Sequence, residues 1–293
     1  STLQNPSHTY NTPGIYTVTL TATNSGGSSA PETKVDYVTV TDPPPSALYL
    51  SLASNAIVGG VNAADEDILW YDGTAWSLLF DGSDLGVSGD LNAFHVIDAT
   101  QILMSFTKAN TFGGVTIDDH DIALFTATSL GENTTGTFSL YFDGDTADLT
   151  APAEDIDAVH LHADGRLIVS TLGTPSVSGV GSTKDEDLLA FTPTVPGDYT
   201  SGGTWEMYFD ASDVGISGGG DVIGVSIAAN GDIYLSTDTT VVVGGLTAAD
   251  EDVFICTPIT LGSTTQCTFA PGLYFDGSDW ALEANDVDGI AVP

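Results

Sequence analysis

Apolar and polar residues alternate through "GIYTVTLTATN" (residues 14–24). Tyr16, Val18 and Leu20 fall on one side, Thr17, Thr19 and Thr21 on the other. A period of two predicts a half-buried β-strand. From residue 48 onward the pattern changes to short apolar runs closed by turn residues. One type of run ends in Ser: "LYLSL" at 48, "ILMSF" at 102, "LIVST" at 167 and "IYLST" at 233. A second follows acidic residues: "DEDILWY" from Asp65, "DHDIALF" from Asp119, "DEDLLAF" from Asp185 and "DEDVFIC" from Asp250. A third leads into an acidic turn: "LLFDGSDLGVSGD" (78–90), "LYFDGDTADLTAPAED" (140–155), "MYFDASDVGISGGGD" (207–221) and "LYFDGSDWALEAND" (273–286). A fourth begins at the last Asp of each turn: "DLNAFHV", "DIDAVHL", "DVIGVSI" and "DVDGIAV". No amphipathic helix period interrupts these runs.

The four runs recur about every 65 residues, so the unit is four short strands, as in a propeller blade. In the third copy "DAVHLH" is the innermost strand, and Gly165 in "ADG" supplies a tight turn. "RLIVST", "DLLAF" and "WEMYFD" then run outward. The array begins with a second strand at Leu48 and finishes with an unpaired inner strand at 286–292. Pairing these two would complete the first blade and remove two sheet edges. The expected fold is all-β: a four-bladed β-propeller over 47–293, closed by the C-terminal strand and preceded by a partial sandwich. Successive strands alternate in direction, which gathers the "DED" and "FDGSD" loops on one face.

The N-terminal stretch carries a resemblance. His8-Thr9-Tyr10, Pro13-Gly14 and Tyr16 to Asn24 resemble the C-terminal half of a PKD domain, an immunoglobulin-like sandwich of secreted and surface proteins. The resemblance covers residues 1–42 and implies a spacer or interaction module. Pro43 to Pro45 then make a stiff linker at 43–46. The "D-x-x-A/G" strand starts resemble hemopexin-like propellers, which implies cations near the axis. The repeat also resembles uncharacterised secreted bacterial proteins with several "FDGSDVG" units, which implies a surface location and no activity.

Charge narrows the partners. The formal net charge is −36, with four Lys and Arg in all (Lys34, Lys108, Arg166, Lys184). Such a chain repels nucleic acid and anionic membrane surfaces, and no apolar run is long enough for membrane insertion by a helix. Asp outnumbers Glu 32 to 8, a bias shared by turns and by oxygen-rich calcium sites. Both readings stay open for the repeated carboxylates. As calcium ligands the candidates are Asp90, Asp155, Asp221 and Asp286, expected as a ring at the axis, with Asp81, Asp84, Asp65 and Asp67 in the flanking loops. As turn residues the same carboxylates would accept backbone N–H groups.

Other chemistry is thin. His160 and His162 lie two apart on one strand, but nothing at ligand spacing completes a zinc site. Trp76 and Trp205 occupy equivalent positions and read as blade packing. Trp280 stands where the other copies have Leu, Ala or Val, so it is expected on the acidic face, either exposed as a ligand or partner contact or folded down as a local lid over the rim. Cys256 and Cys267 are spaced for a disulfide across a hairpin, which suits a protein outside the cytoplasm. Asn133 begins a glycosylation sequon. No hydrolase or nucleotide-binding motif occurs, and repeated carboxylates preserve a symmetry that catalysis breaks. The expectation is a non-enzymatic secreted or cell-surface structural or adhesion protein whose partners are copies of itself or other surface proteins. A calcium-dependent glycan- or peptide-binding module is the alternative, and a secreted hydrolase a third.

Overall fold

The computed structural model describes residues 8, 10, 14–40, 47–151, 153–181 and 183–293. Its contacts divide the chain into two compact units, Ser1–Pro44 and Pro45–Pro293. The proline linker at 43–46 lies outside the described residues, as do Thr9 and Pro13 of the PKD-like motif.

In the first unit, strands Gly14–Leu20 and Glu32–Val40 pair antiparallel, with a register shift between Tyr16 and Val18. The ring of Tyr10 lies 4.6 Å from His8 and 4.4 Å from Tyr16. Ile15 and Val35 are 65% and 71% exposed. A two-stranded ribbon buries too little to be stable alone, and this one presents apolar side chains outward.

The second unit is the all-β propeller. Its blades are four-stranded and antiparallel, with the outer strands of the second and third joined by a parallel bridge into one eight-stranded sheet. The second blade runs outward through Ala93–Val96, Gln101–Ser105, Ile122–Ser129 and Thr135–Phe142. The third runs through Ile156–Leu161, Leu167–Thr171, Leu188–Val195 and Asp198–Phe209. The fourth runs through Val222–Ile227, Ile233–Thr237, Phe254–Thr260 and Gln266–Phe269. In the first blade, Leu48–Leu50, Ile68–Tyr71 and Trp76–Phe80 are completed on the inside by the C-terminal strand Ile290–Ala291. Ile290 pairs with Leu50 and Ala291 with Tyr49.

The core lies between blades. One buried cluster joins Ile68 and Phe80 of the first blade to Phe94 and Phe125 of the second. Another joins Phe142 to Phe191 across the next seam. A third joins Leu188 and Phe209 to Val225 and Phe254. The last joins Val253 and Phe275 to Leu50 and Ile290, returning to the first blade. Both faces of each sheet are therefore covered, which explains the nearly continuous apolar runs such as fully buried Leu167–Thr171. Outer strands also reach across the seams. Phe142 makes a parallel bridge to Tyr199, Phe80 to Gly131 and Phe209 to Gly262.

Among the described residues, three blades carry an additional small hairpin between their second and third strands. These are Ala56–Val58 with Val61–Ala63, Asn110–Phe112 with Val115–Ile117, and Val241–Val243 with Leu246–Ala248. Each turns on a Gly-Gly pair, for example Gly59 and Gly60 at φ 57° and 91°, the left-handed pair a two-residue hairpin turn demands. The four-strand repeat predicted from sequence omits these hairpins. Among the described residues no helix is long and apolar enough to cross a membrane.

Candidate functional site: the acidic face and the axis

The "FDGSD" segments form one-turn 3-10 helices at Ser83–Leu85, Gly144–Ala147, Ala211–Val214 and Gly277–Trp280. The first Asp of each serves that turn. Asp81 accepts from Ser83 Oγ at 2.7 Å, Asp210 from Ser212 Oγ at 2.7 Å, and Asp276 from Ser278 Oγ at 2.6 Å. The second Asp fastens a seam. Asp84 accepts from the backbone N–H of Thr134 in the next blade at 2.8 Å, and Asp213 from that of Thr265 at 2.9 Å. The Thr hydroxyls answer by accepting from Asp81 N–H and Asp210 N–H.

The last Asp of each "DED" or "DHD" motif is buried and divides its two oxygens between two loops. Asp67 accepts from Ala64 N–H at 2.8 Å and Gly82 N–H at 3.0 Å. Asp121 does so from Asp118 and Gly144, Asp187 from Lys184 and Ala211, and Asp252 from Ala249 (2.8 Å) and Gly277 (3.1 Å). So Asp67, Asp81 and Asp84 are placed as turn and seam residues, with backbone or hydroxyl donors already on their oxygens. Replacing Asp252 by Ala would strand two backbone N–H groups, one of them on buried Gly277. We expect Asp252→Ala to cost about 2–3 kcal/mol and Asp252→Asn roughly half, because the amide keeps one acceptor. Urea midpoints check this; a loss below about 0.5 kcal/mol would remove the stitching role.

The strand-start carboxylates differ. Asp90, Asp155, Asp221 and Asp286 each face the "DED" or "DHD" Asp of the preceding blade: Asp65, Asp119, Asp185 and Asp250 respectively. Backbone bonds register the same seams, from Leu91 N–H to Asp65 C=O, Ile156 to Asp119 and Val287 to Asp250. Each "DED" or "DHD" loop therefore meets the strand start of the following blade, pairing acidic residues seam by seam. Two residues further along, strands bring a second tier inward: Asn92, Asp157, Ile223 and Asp288. Asp157 is 3% exposed, Asp288 7% and Asn92 7%. The chains crowd here; a Cβ on Gly224 would sit 2.9 Å from the Asp288 carbonyl oxygen.

Among the described residues, these tiers hold most of the buried side-chain oxygens without a hydrogen-bond partner. They are one oxygen each of Asp90, Asn92, Asp155, Asp221 and Asp288, and both of Asp157. Burial pushes Asp90 up to about 7, aided by the charge of Asp65, and Asp221 up to about 8, aided by Asp185 and Asp238. Burial, and then the facing charges of Asp221 and Asp90, hold Asp157 and Asp288 well above the carboxylate range. An array of buried oxygen acceptors is the donor set of a hard cation or of shared protons. Among the described residues no group of three or more His, Cys, Asp or Glu converges tightly enough to hold a metal, so a cation here would take two carboxylates and fill its shell with amide, carbonyl or water oxygens.

Other predicted residues settle as follows. Trp280 is not exposed on the acidic face. It is half-buried, with its ring 5.4 Å from Tyr71 and 5.5 Å from Trp76, edge-on to both, because the first blade's apolar cluster opens beneath its turn. Trp76 and Trp205 are buried in seam clusters, and Trp205 Nε1 donates to Ala147 C=O at 2.7 Å. Cys256 and Cys267 are joined across the fourth blade's outer hairpin, with Cα atoms 5.5 Å apart. His95 and His160 lie ring to ring at 4.6 Å in the wall of a cavity of about 540 Å³ that also touches Tyr49, Ile97 and Ser226. Burial pulls His95 down to about 4 and lowers His160 further. Sequence reading missed Asp157 and Asp288, although their i, i+2 spacing from a strand-start Asp was the available signal.

Residues 1–40 match the PKD domain family. No curated protein matches the chain. Among solved structures, the extracellular domain of a one component system from B. thetaiotaomicron aligns at 12% identity and TM-score 0.30, covering 75% of this chain and 38% of that one. YCF48 from Cyanidioschyzon merolae aligns at 11% identity and TM-score 0.31, covering 78% and 97%. PorZ, a surface component of the type-IX secretion system of Porphyromonas gingivalis, aligns at 17% identity and TM-score 0.28, covering 80% and 28%. The chain thus spans 38% of the first of these structures and 28% of PorZ.

Proposed function

We propose that the chain is a non-catalytic secreted or cell-surface module, structural or adhesive, whose acidic propeller face is stiffened by calcium. The observation that carries this reading is the set of buried carboxylate oxygens around the axis with no protein donor to meet them. A surface location is supported by the PKD match, a domain type of secreted and surface proteins. Repetition supports a scaffold over an enzyme, since each blade spends its carboxylates on the same turns and seams. Assembly with other copies runs through the first unit, where the Gly14–Leu20 and Glu32–Val40 ribbon leaves Ile15, Val35 and Tyr37 exposed. The glycan-binding alternative loses its principal contact, because Trp280 is packed against Tyr71 and Trp76.

Sedimentation and thermal melting of the full chain, with calcium and with chelator, test the proposal. A calcium-dependent rise in melting temperature and concentration-dependent assembly are expected. Melting that ignores chelator would sink the calcium role. A strict monomer at every concentration would sink the assembly.

A further inference from the structure

The inner tier does not follow the fourfold repeat. At the position two residues after the strand-start Asp, the four blades carry Asp288, Asn92, Asp157 and Ile223 in ring order. The two inner Asp side chains each meet the strand-start Asp of the next blade. The Asp288 carboxyl lies within hydrogen-bond reach of the Asp90 carboxyl, and that of Asp157 within reach of Asp221. The seams between blades one and two and between blades three and four are therefore doubly acidic. In the other two seams, Asn92 and Ile223 stand where the inner Asp would be.

Two carboxylates that meet in a buried place share a proton or hold a cation between them, and above the range where the proton is held only the cation is left. Among the described residues no Lys, Arg or His forms an ion pair with any of the four; Arg166 is committed to Asp164 and Glu206. The groups around them only add negative charge: Asp65 and Asp286 beside Asp90 and Asp288, Asp185 and Asp238 beside Asp221. Asp157 and Asp288 also repel each other across the axis. Yet Asp157 is 3% exposed, Asp221 5% and Asp288 7%, each with at least one oxygen lacking any donor. Buried charges without partners are costly, and all the donors in reach are oxygens, which select a hard cation over a thiophilic one.

We infer that the axis holds two divalent-cation sites, one between Asp288 and Asp90 and the other between Asp157 and Asp221. Calcium is the cation whose size and loose coordination suit two carboxylates completed by amide, carbonyl and water oxygens. The inference rests on the proposed calcium role of the acidic face, and it fixes the residues and the stoichiometry.

Calorimetric titration of the chelated full chain with calcium chloride at pH 8 tests it, alongside Asp288→Asn, Asp157→Asn and the double variant. These are isosteric changes, and Asn92 shows that the tier accommodates the amide. Asp90→Asn and Asp221→Asn probe the same sites from the strand-start side. Melting in chelator verifies that each variant folds. Two ions per chain are expected for the wild type, one for each single variant, and none in the double variant at calcium concentrations about 100-fold above those that saturate the wild type. Two ions still bound by the double variant would place the cations elsewhere on the acidic face, overturning the inference while leaving the calcium role intact. No binding to the wild type at millimolar calcium would overturn both.

Discussion

Deleting residues 290–293 is expected to abolish cooperative folding of the propeller under mild conditions. The deleted segment supplies the innermost strand of the first blade. Ile290 is 1% exposed and packs in the seam cluster with Leu50, Val253 and Phe275. Losing it removes about 2–3 kcal/mol of burial. The pairing with Leu50 and Tyr49, and the bond from Val292 N–H to Ser226 Oγ at 3.0 Å, add roughly 1 kcal/mol each. The sum is on the order of 5 kcal/mol, comparable to the entire stability of many domains. It also opens two seams at once, since Ala291 packs with Phe94 and Ile102 in the cluster between blades one and two. Urea unfolding followed by tryptophan fluorescence reads the effect, because Trp70 and Trp76 sit in the first blade. An unchanged midpoint would mean that the ring does not depend on its last strand.

The second large effect concerns pH. In chelator, the protein is expected to be more stable near pH 5 than near pH 8. An unfolded Asp titrates near 3.9, whereas Asp90 and Asp221 are pushed up to about 7 and about 8 by burial. A carboxyl whose pKa rises on folding binds its proton more tightly in the folded state. Its stabilising contribution is complete below the unfolded value and disappears as pH climbs through the folded value. Between these limits each such group lowers stability by at most about 1.4 kcal/mol per pH unit. Asp72, Asp98 and Asp198 are shifted the other way by hydroxyl and backbone donors, so their contribution is lost only as pH falls toward and below 4. Melting temperatures from pH 5 to 8 check this, and the decline should flatten in Asp157→Asn. Stability that rises across that window without any cation would show that the axial carboxyls carry no such linkage.

The repeat was the most legible feature of the sequence, since turn residues punctuate each blade and the orphan strand at 286–292 had only one place to go. The disulfide could be read because Cys256 and Cys267 flank a hairpin. The roles of individual Asp residues were less legible. Asp67 and Asp90 look alike as acidic residues before an apolar run, yet one is saturated by two N–H groups and the other faces carboxylates. The difference depends on which loop arrives from the neighbouring blade, and no local pattern records that. Asp157 and Asp288 were hidden differently: they read as ordinary second residues of inner strands, and their effect comes from neighbours more than 60 residues away in sequence. The position of Trp280 followed its alignment with Leu85, but alignment cannot reveal an apolar gap large enough to receive an indole.

The closing strand also sets how the propeller bears load. Leu48–Leu50 and Ile290–Ala291 run antiparallel, with Tyr49 opposite Ala291 and Leu50 opposite Ile290. Residues 47 and 292 therefore emerge at the same edge of the first blade. Tension applied between them peels the sheet open one rung at a time, Tyr49–Ala291 first, rather than shearing all rungs together. A pull through both ends would thus meet the ring at its weakest direction, and a tether using only one end would leave the seal unloaded.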